Sequence, residues 1–155
     1  MNHSKERLVQ LLSITDKEAL HLEGVTQRLL NILPDNDEQL KEKLNDPQLI
    51  DTLESFSAKF SRMQDTIDDK LLPVFLKTAG EQTGTVIENL NRAEKLFLIT
   101  NAQDWLMARG LRNKLVHEYI ENPHELSEAV DLAKEFVTEL IKTQKAIKSY
   151  TIKQL

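Results

Sequence analysis

Cysteine is absent from this chain of 155 residues, and glycine and proline each occur only four times. Without thiols the chain can form no disulfide, no thiolate nucleophile and no cysteine-ligated zinc site. The scarcity of glycine and proline leaves long stretches without helix breakers, which favours long helices over a fold with many turns. Glycine-rich phosphate-binding loops are also missing, and no two of the four histidines have the i, i+4 spacing of a helical metal site.

Long hydrophobic runs are missing as well. No segment approaches the roughly 18 apolar residues of a membrane span, and the N-terminus, MNHSKERLVQLLS, has no apolar stretch after its basic residues. The sequence therefore predicts a cytoplasmic protein without a membrane anchor or a secretory signal. The length and the ordinary share of hydrophobic residues predict one domain over residues 1–155.

The net charge of -5 argues against a nucleic-acid partner, but the charge is uneven along the chain. Residues 35–69 carry ten acidic side chains against four basic ones. After Glu139 every charged side chain is a lysine, and a second basic group lies near position 112: Arg109, Arg112 and Lys114. A polyanion can therefore meet a locally basic surface, although a solvated, lysine-rich last helix explains the tail equally well.

Apolar residues recur at helical spacing along most of the chain, and strand-like alternation persists nowhere. This pattern predicts an all-α fold, an antiparallel bundle of four to five main helices. The predicted helices run from about Asp16 to Leu33, Leu49 to Val74, Val86 to Phe97, Asn101 to about Ile120, and from Pro123 onward. A short leading turn of helix over residues 4–12 is an alternative at the N-terminal end.

Several residues predict where these helices begin and end. Thr15 or Asp16 is the predicted N-cap of the first helix, and Asn101 that of the fourth. Pro73 falls inside the second helix and predicts a kink or an end there. Asn122, followed by Pro123 and then Glu125, predicts an N-cap, a proline at the first helical position and a capping box.

The stretch RNKLVHEY, residues 112–119, places an arginine where the fourth helix should be apolar. On a helix with roughly 100° per residue, five apolar or aromatic residues fall within about 60° of Arg112: Trp105, Ala108, Leu115, Val116 and Tyr119. Burying an unpaired guanidinium is costly, so Arg112 requires an anion, a water-lined cleft or a subunit interface beside it. The stretch is therefore a candidate functional site.

Two interpretations of this stretch stand side by side. In the structural one, Arg112 forms an interhelix salt bridge, His117 caps its helix and Tyr119 packs in the core. In the catalytic one, His117 takes the proton of an RNA 2′-hydroxyl, that oxygen attacks the adjacent phosphorus, and Arg112 stabilises the charge on the equatorial oxygens. This chemistry requires no metal or other cofactor. His117 lies about 140° from Arg112 on a helix, so sharing a site requires the helix to end or loosen near His117.

The spacing Arg-x4-His-x-Tyr, formed by Arg112, His117 and Tyr119, resembles the motif of HEPN-domain proteins, in particular the HepT-like toxins. The order of elements is similar too: a kinked second helix ending DDKLLPVFL, then IENLNRAEKLFLI, then WLMARGLRNKLVHEY. The likeness covers roughly residues 50–145, and about 45 N-terminal residues lie outside it.

The resemblance implies a HEPN-like helical bundle that forms a homodimer, with two Arg/His sets in a cleft at the interface. It implies a metal-independent endoribonuclease toxin whose catalytic residues are Arg112 and His117, joined by Asn113, the polar residue that follows the arginine. Arg109 and Lys114 are the residues expected to bind RNA.

The resemblance also implies a partner, a nucleotidyltransferase antitoxin of the MntA type that transfers AMP to the hydroxyl of Tyr119. A phosphodiester there would pair with the Arg112 guanidinium and silence the toxin. Other HEPN proteins have lost nuclease activity and serve as binding modules for a nucleotidyltransferase. The sequence leaves this alternative open.

Overall fold

A computed structural model describes residues 2–115 and 122–155 of the chain. Every regular element within these residues is helical, which confirms the predicted all-α bundle. The α-helices in chain order are α1 (Asn2–Ile32), α2 (Asp37–Lys43), α3 (Pro47–Thr66), α4 (Leu72–Thr78), α5 (Val86–Lys95), α6 (Ala102–Lys114) and α7 (Pro123–Gln154), and a π-helical turn (Ile67–Leu71) joins α3 to α4. None of these helices has an apolar stretch long enough to cross a bilayer.

The first helix begins at Asn2, much earlier than predicted, so Thr15 lies inside α1 and is not its N-cap. Thr15 is buried, and its hydroxyl donates to the carbonyl oxygens of Leu11 at 2.8 Å and Leu12 at 3.2 Å. A hydroxyl satisfied by the preceding turn leaves the helix free to continue through the threonine. The predicted start near Asp16 is therefore wrong, and residues 4–12 are helical, as part of α1 and not as a separate leading turn.

The second predicted helix is confirmed up to its proline, where the structure has a π-helical turn. Asp46 caps α3 by accepting a hydrogen bond from the backbone N–H of Gln48 at 3.0 Å. The backbone N–H of Leu72 donates to the carbonyl of Ile67, five residues earlier, which is the wide π-type bond. Pro73 lacks an N–H and would crowd the carbonyl four residues before it in a regular α-helix. The wider turn just before the proline lets the chain stay helical into α4.

The caps of α6 and α7 are confirmed by their hydrogen bonds. The side chain of Asn101 accepts from the backbone N–H groups of Gln103 at 2.8 Å and Asp104 at 3.2 Å. The side chain of Asn122 accepts from the N–H of Glu125 at 3.2 Å. The reciprocal bond of the predicted capping box, from the Asn122 N–H to the Glu125 side chain, does not occur among the described residues, so only the cap is confirmed. Helix α6 ends at Lys114, and its predicted continuation to Ile120 lies outside the described residues.

Phe97 does not belong to the core, contrary to the apolar pattern that placed it on the third predicted helix. Helix α5 ends at Lys95, and Phe97 follows in the left-handed conformation with φ of 61° and a side chain 92% exposed. The N–H of Leu98 donates to the carbonyl of Ala93 at 2.9 Å, which closes the helix end in the manner of a Schellman motif. Glycine is the residue that usually occupies such a position.

The core joins all of these helices and fixes the position of α6. Helix α1 packs most extensively on α3, whereas α6 lies against both α3 and α7. Trp105 of α6 is fully buried, and its ring meets that of Phe136 in α7 edge to face at 5.1 Å. Phe136 in turn lies 6.1 Å from Phe60 of α3. These aromatic contacts hold α6 rigidly between its neighbours, with the residues after Trp105 directed along α3.

Candidate functional site

The candidate site is a row of polar contacts between α6 and the helix formed by α3 and the π-helical turn. Gln64 begins the row, donating from its amide nitrogen to the backbone carbonyl of Trp105 at 3.0 Å. Arg109 and Arg112 continue it, one and two turns further along α6. The two arginines share one helix face because their spacing of three residues is close to a helical turn. The row therefore presents two guanidinium groups beside the acidic stretch of the second helix.

Arg112 is held by an aspartate and a serine of α3. Its two terminal nitrogens donate to the two carboxylate oxygens of Asp65 at 2.7 Å and 3.0 Å, and its Nε donates to the hydroxyl of Ser61 at 2.9 Å. Parallel hydrogen bonds of this kind give an arginine–carboxylate pair a fixed geometry. The Arg112 side chain is still 25% exposed, and that of Asp65 is 45% exposed. The anion that the sequence required beside Arg112 is therefore Asp65.

Arg109 is paired with two further carboxylates, those of the π-helical turn. Its Nε donates to Asp68 at 3.0 Å, and its Nη2 donates to Asp69 at 3.2 Å. Arg109 is 37% exposed and Asp69 is 50% exposed, whereas the side chain of Asp68 is fully buried. The row thus holds two guanidinium groups against three aspartates, so its formal charge is negative when all three carboxylates are ionised.

Asp68 is the most perturbed group of the row. Burial raises the pKa of its carboxyl group to about 6, because the loss of solvent outweighs the opposing effect of the Arg109 charge and hydrogen bond. One carboxylate oxygen accepts from Arg109, while the other is buried without a hydrogen-bond partner in the part of the chain described here. A buried, half-satisfied carboxyl group in a π-helical turn is the kind of local irregularity that recurs at functional sites.

The remaining predicted site residues lie at or beyond the end of α6. Asn113 and Lys114 are exposed in its last turn. His117 and Tyr119 lie outside the described residues, as do the other residues between Leu115 and Asn122. The structure thus brings Arg109 and Arg112 together, and the catalytic roles of Arg112, His117 and Asn113 and the AMP-acceptor role of Tyr119 stay predictions.

The sequence reasoning missed the acidic side of the row. Ser61, Asp65, Asp68 and Asp69 are not among the site residues that the sequence predicts. One signal was available: Gln64 and Asp68 are four residues apart beside the apolar stripe of the second helix. Two polar residues at that spacing, next to buried positions, predict a polar contact with a neighbouring helix.

No group of three histidine, aspartate or glutamate side chains among residues 2–115 and 122–155 is placed to hold a metal ion. Comparisons of the chain with protein-family models, with curated proteins and with solved structures found no match in any of the three. The function is therefore inferred from the row of arginines and aspartates and from the Arg-x4-His-x-Tyr spacing.

Proposed function

We propose that this protein is a metal-independent endoribonuclease toxin of the HEPN class, with Arg112 and His117 as its catalytic residues. The observation that supports it best is the placement of Arg112: a partly exposed guanidinium, oriented by Asp65 and Ser61, five residues before His117. A guanidinium has five N–H donors, and these contacts use three of them. Within the described residues, two donors stay available for a phosphate oxygen whose charge grows in the transition state.

In the proposed mechanism each residue has one task. His117 removes the proton from the 2′-hydroxyl of the RNA, and the resulting oxyanion attacks the adjacent phosphorus. The bond from phosphorus to the 5′-oxygen breaks, leaving a 2′,3′-cyclic phosphate on one fragment and a 5′-hydroxyl on the other. Arg112 stabilises the negative charge on the non-bridging oxygens. Asn113 supplies a further polar group, and Arg109 and Lys114 bind the flanking phosphates.

Expression in a bacterial host tests this proposal against its alternative. We expect wild-type protein alone to arrest growth with loss of intact RNA, and His117→Ala at equal expression to leave growth unchanged. The alternative is a non-catalytic HEPN module that binds a nucleotidyltransferase. One observation favours this alternative: Asp65 already pairs with the Arg112 guanidinium, as it would in a purely structural salt bridge. Equal tolerance of both proteins by the host would support the binding module.

The proposed assembly is a homodimer with the end of α6 at or beside the interface. The partly exposed Arg112 side chain supports this placement, because a shared cleft provides a polar, partly wet environment for a guanidinium near an apolar stripe. Light scattering at micromolar concentration should therefore give at least twice the mass of one chain. A monomer alone would contradict the assembly.

The proposed regulator is an MntA-type nucleotidyltransferase that adds AMP to Tyr119, using Mg²⁺ and ATP at its own site. The added phosphodiester would place a negative charge within reach of Arg112 and compete with RNA for its donors. After incubation with such an enzyme and ATP, the intact mass should rise by whole AMP units in the wild type and stay constant in Tyr119→Phe. AMP additions that persist in Tyr119→Phe would place the acceptor elsewhere.

A further inference from the structure

The outward side of α7 carries a continuous line of exposed polar residues at coiled-coil spacing. The steps between them alternate between three and four residues, so they form one seam along the helix. The members of this seam are Glu128, Asp131, Glu135, Thr138, Lys142, Lys145 and Ser149, and all are exposed. Residues at this spacing share one face of a helix, so a second helix that packed on this face would contact all of them.

The charges of the α7 seam are segregated by sign. Every seam residue before Thr138 is acidic, and both charged seam residues after it are lysines. The helix dipole favours acids in the first turn and bases in the last, but Asp131 and Lys145 lie well inside this helix of 32 residues. The dipole therefore does not account for the separation.

The two halves of the α7 seam are complementary to each other about Thr138. Asp131 and Lys145 are each seven residues from Thr138, while Glu135 and Lys142 are three and four residues from it. If two copies of α7 cross antiparallel at Thr138, the acidic half of each meets the basic half of the other. A twofold axis makes every such contact occur twice, which is the pattern of an isologous dimer.

A groove beside the acidic half offers a place for lysine side chains. It lies between α6 and α7, has a volume of about 360 Å³, and its apolar wall includes Met107 and Leu132, which are 64% and 52% exposed. Its charged lining groups are the carboxylates of Asp104, Glu135 and Glu139. A lysine fits such a groove, because its aliphatic stem covers apolar surface while its ammonium group meets a carboxylate.

We propose that a second copy of this chain docks antiparallel on α7, with Lys142 and Lys145 of each copy seated against Asp131, Glu135 and the groove of the other. The contact is separate from the proposed α6 interface, because Arg112 faces α3 while the seam faces away from the core. It does not rest on the proposed ribonuclease function. Lys148 takes no part, because it is bound to Asp16 at 2.7 Å.

The absence of cysteine makes the crossing point testable with one substitution. In Thr138→Cys, two copies of the introduced thiol should meet at the twofold axis and form a disulfide when oxidised glutathione is added. Non-reducing electrophoresis should then show most of the protein as a covalent dimer. Lys77→Cys, at an exposed position of α4, is the matched control and should stay predominantly a single chain.

Charge reversal in the Thr138→Cys background tests the complementarity. Lys142→Glu with Lys145→Glu should reduce crosslinking at least tenfold, and Asp131→Lys with Glu135→Lys should do the same. The chain that carries all four substitutions should crosslink like Thr138→Cys alone, because both halves have exchanged sign. The control is Lys77→Glu with Lys95→Glu, which lowers the net charge by the same amount as Lys142→Glu with Lys145→Glu. It should leave crosslinking unchanged. Crosslinking that is absent in Thr138→Cys, or that the four substitutions fail to restore, would overturn the proposal.

Discussion

The guanidinium of Arg112 and the carboxylate of Asp65 face each other through two hydrogen bonds, of 2.7 Å and 3.0 Å, across the interface of α6 and α3. A phosphate binds a guanidinium in the same two-pronged geometry. Asp65 holds two of the Arg112 N–H groups in this geometry and would compete with an RNA phosphate for them. Because Asp65 is nearly half exposed, the pair contributes on the order of 1 kcal/mol or less to stability and can open at little cost.

RNA affinity should rise when Asp65 loses its charge. In a His117→Ala background, which prevents cleavage, we expect Asp65→Asn to bind a fluorescent single-stranded RNA several-fold more tightly, because a competing carboxylate has been neutralised. Asp51→Asn, at an exposed position of the same helix, removes the same charge and should change binding much less. Fluorescence anisotropy at constant salt measures both. Weaker binding in Asp65→Asn would mean that the carboxylate orients Arg112 for RNA.

The stability of the protein should depend on pH through Asp68. The pKa of Asp68 is about 6 in the folded chain, whereas its ordinary value is 3.8. At pH values between these two, the folded state therefore keeps a proton that the unfolded state has released. The stabilisation that this proton gives the folded state is complete below the ordinary pKa of 3.8 and is lost as the pH rises through about 6. As the pH rises from below 3.8 to above about 6, the free energy of unfolding of the wild type should fall relative to that of Asp68→Asn. The fall should be on the order of 3 kcal/mol.

Urea unfolding at a series of pH values provides that comparison. Asp68→Asn keeps the size of the side chain and cannot ionise, so its curve should lack the fall. Asp69→Asn, at the half-exposed neighbour, should keep it. Parallel curves for the wild type and Asp68→Asn between pH values of about 4 and 7 would rule out Asp68 as the source.

Replacing Phe97 with glycine should stabilise the chain. The residue has φ of 61°, where a side chain with a β-carbon is strained, and its ring is 92% exposed and so adds little by packing. We expect Phe97→Gly to gain roughly 0.5–1 kcal/mol, or about 1–4 °C in melting temperature. Phe97→Ala removes the ring and keeps the strain, so its melting temperature should stay near that of the wild type. A lower melting temperature for Phe97→Gly would show that the ring packs against the protein.

Local signals in the sequence predicted local structure well. The apolar stripe of the second helix and the caps at Asn101 and Asn122 depend on residues within a few positions of each other, and the structure confirms them. The early start of α1 was missed because a threonine that caps a helix and one satisfied inside it look alike in sequence. Phe97 was misplaced because a helix end usually carries glycine at that position, and here it does not.

The pairing within the candidate site was beyond the reach of the sequence. Asp68 and Arg109 are 41 residues apart, and Asp65 and Arg112 are 47 residues apart, so only the packing of α6 on α3 brings them together. The π-helical turn adds to this, because it changes the side of the helix that Asp68 and Asp69 face. The requirement for an anion beside Arg112 followed from the cost of burial, but the identity of that anion did not.

The central claim, RNA cleavage by Arg112 and His117, is tested most directly with purified protein and a single-stranded RNA labelled at one end, in buffer with excess EDTA. The wild type should cleave the RNA and leave a 2′,3′-cyclic phosphate, which acid treatment opens and mass spectrometry detects. His117→Ala and Arg112→Ala should leave the RNA intact while their helical circular dichroism matches that of the wild type. Cleavage by His117→Ala at the wild-type rate, or no cleavage by the wild-type protein, would contradict the claim.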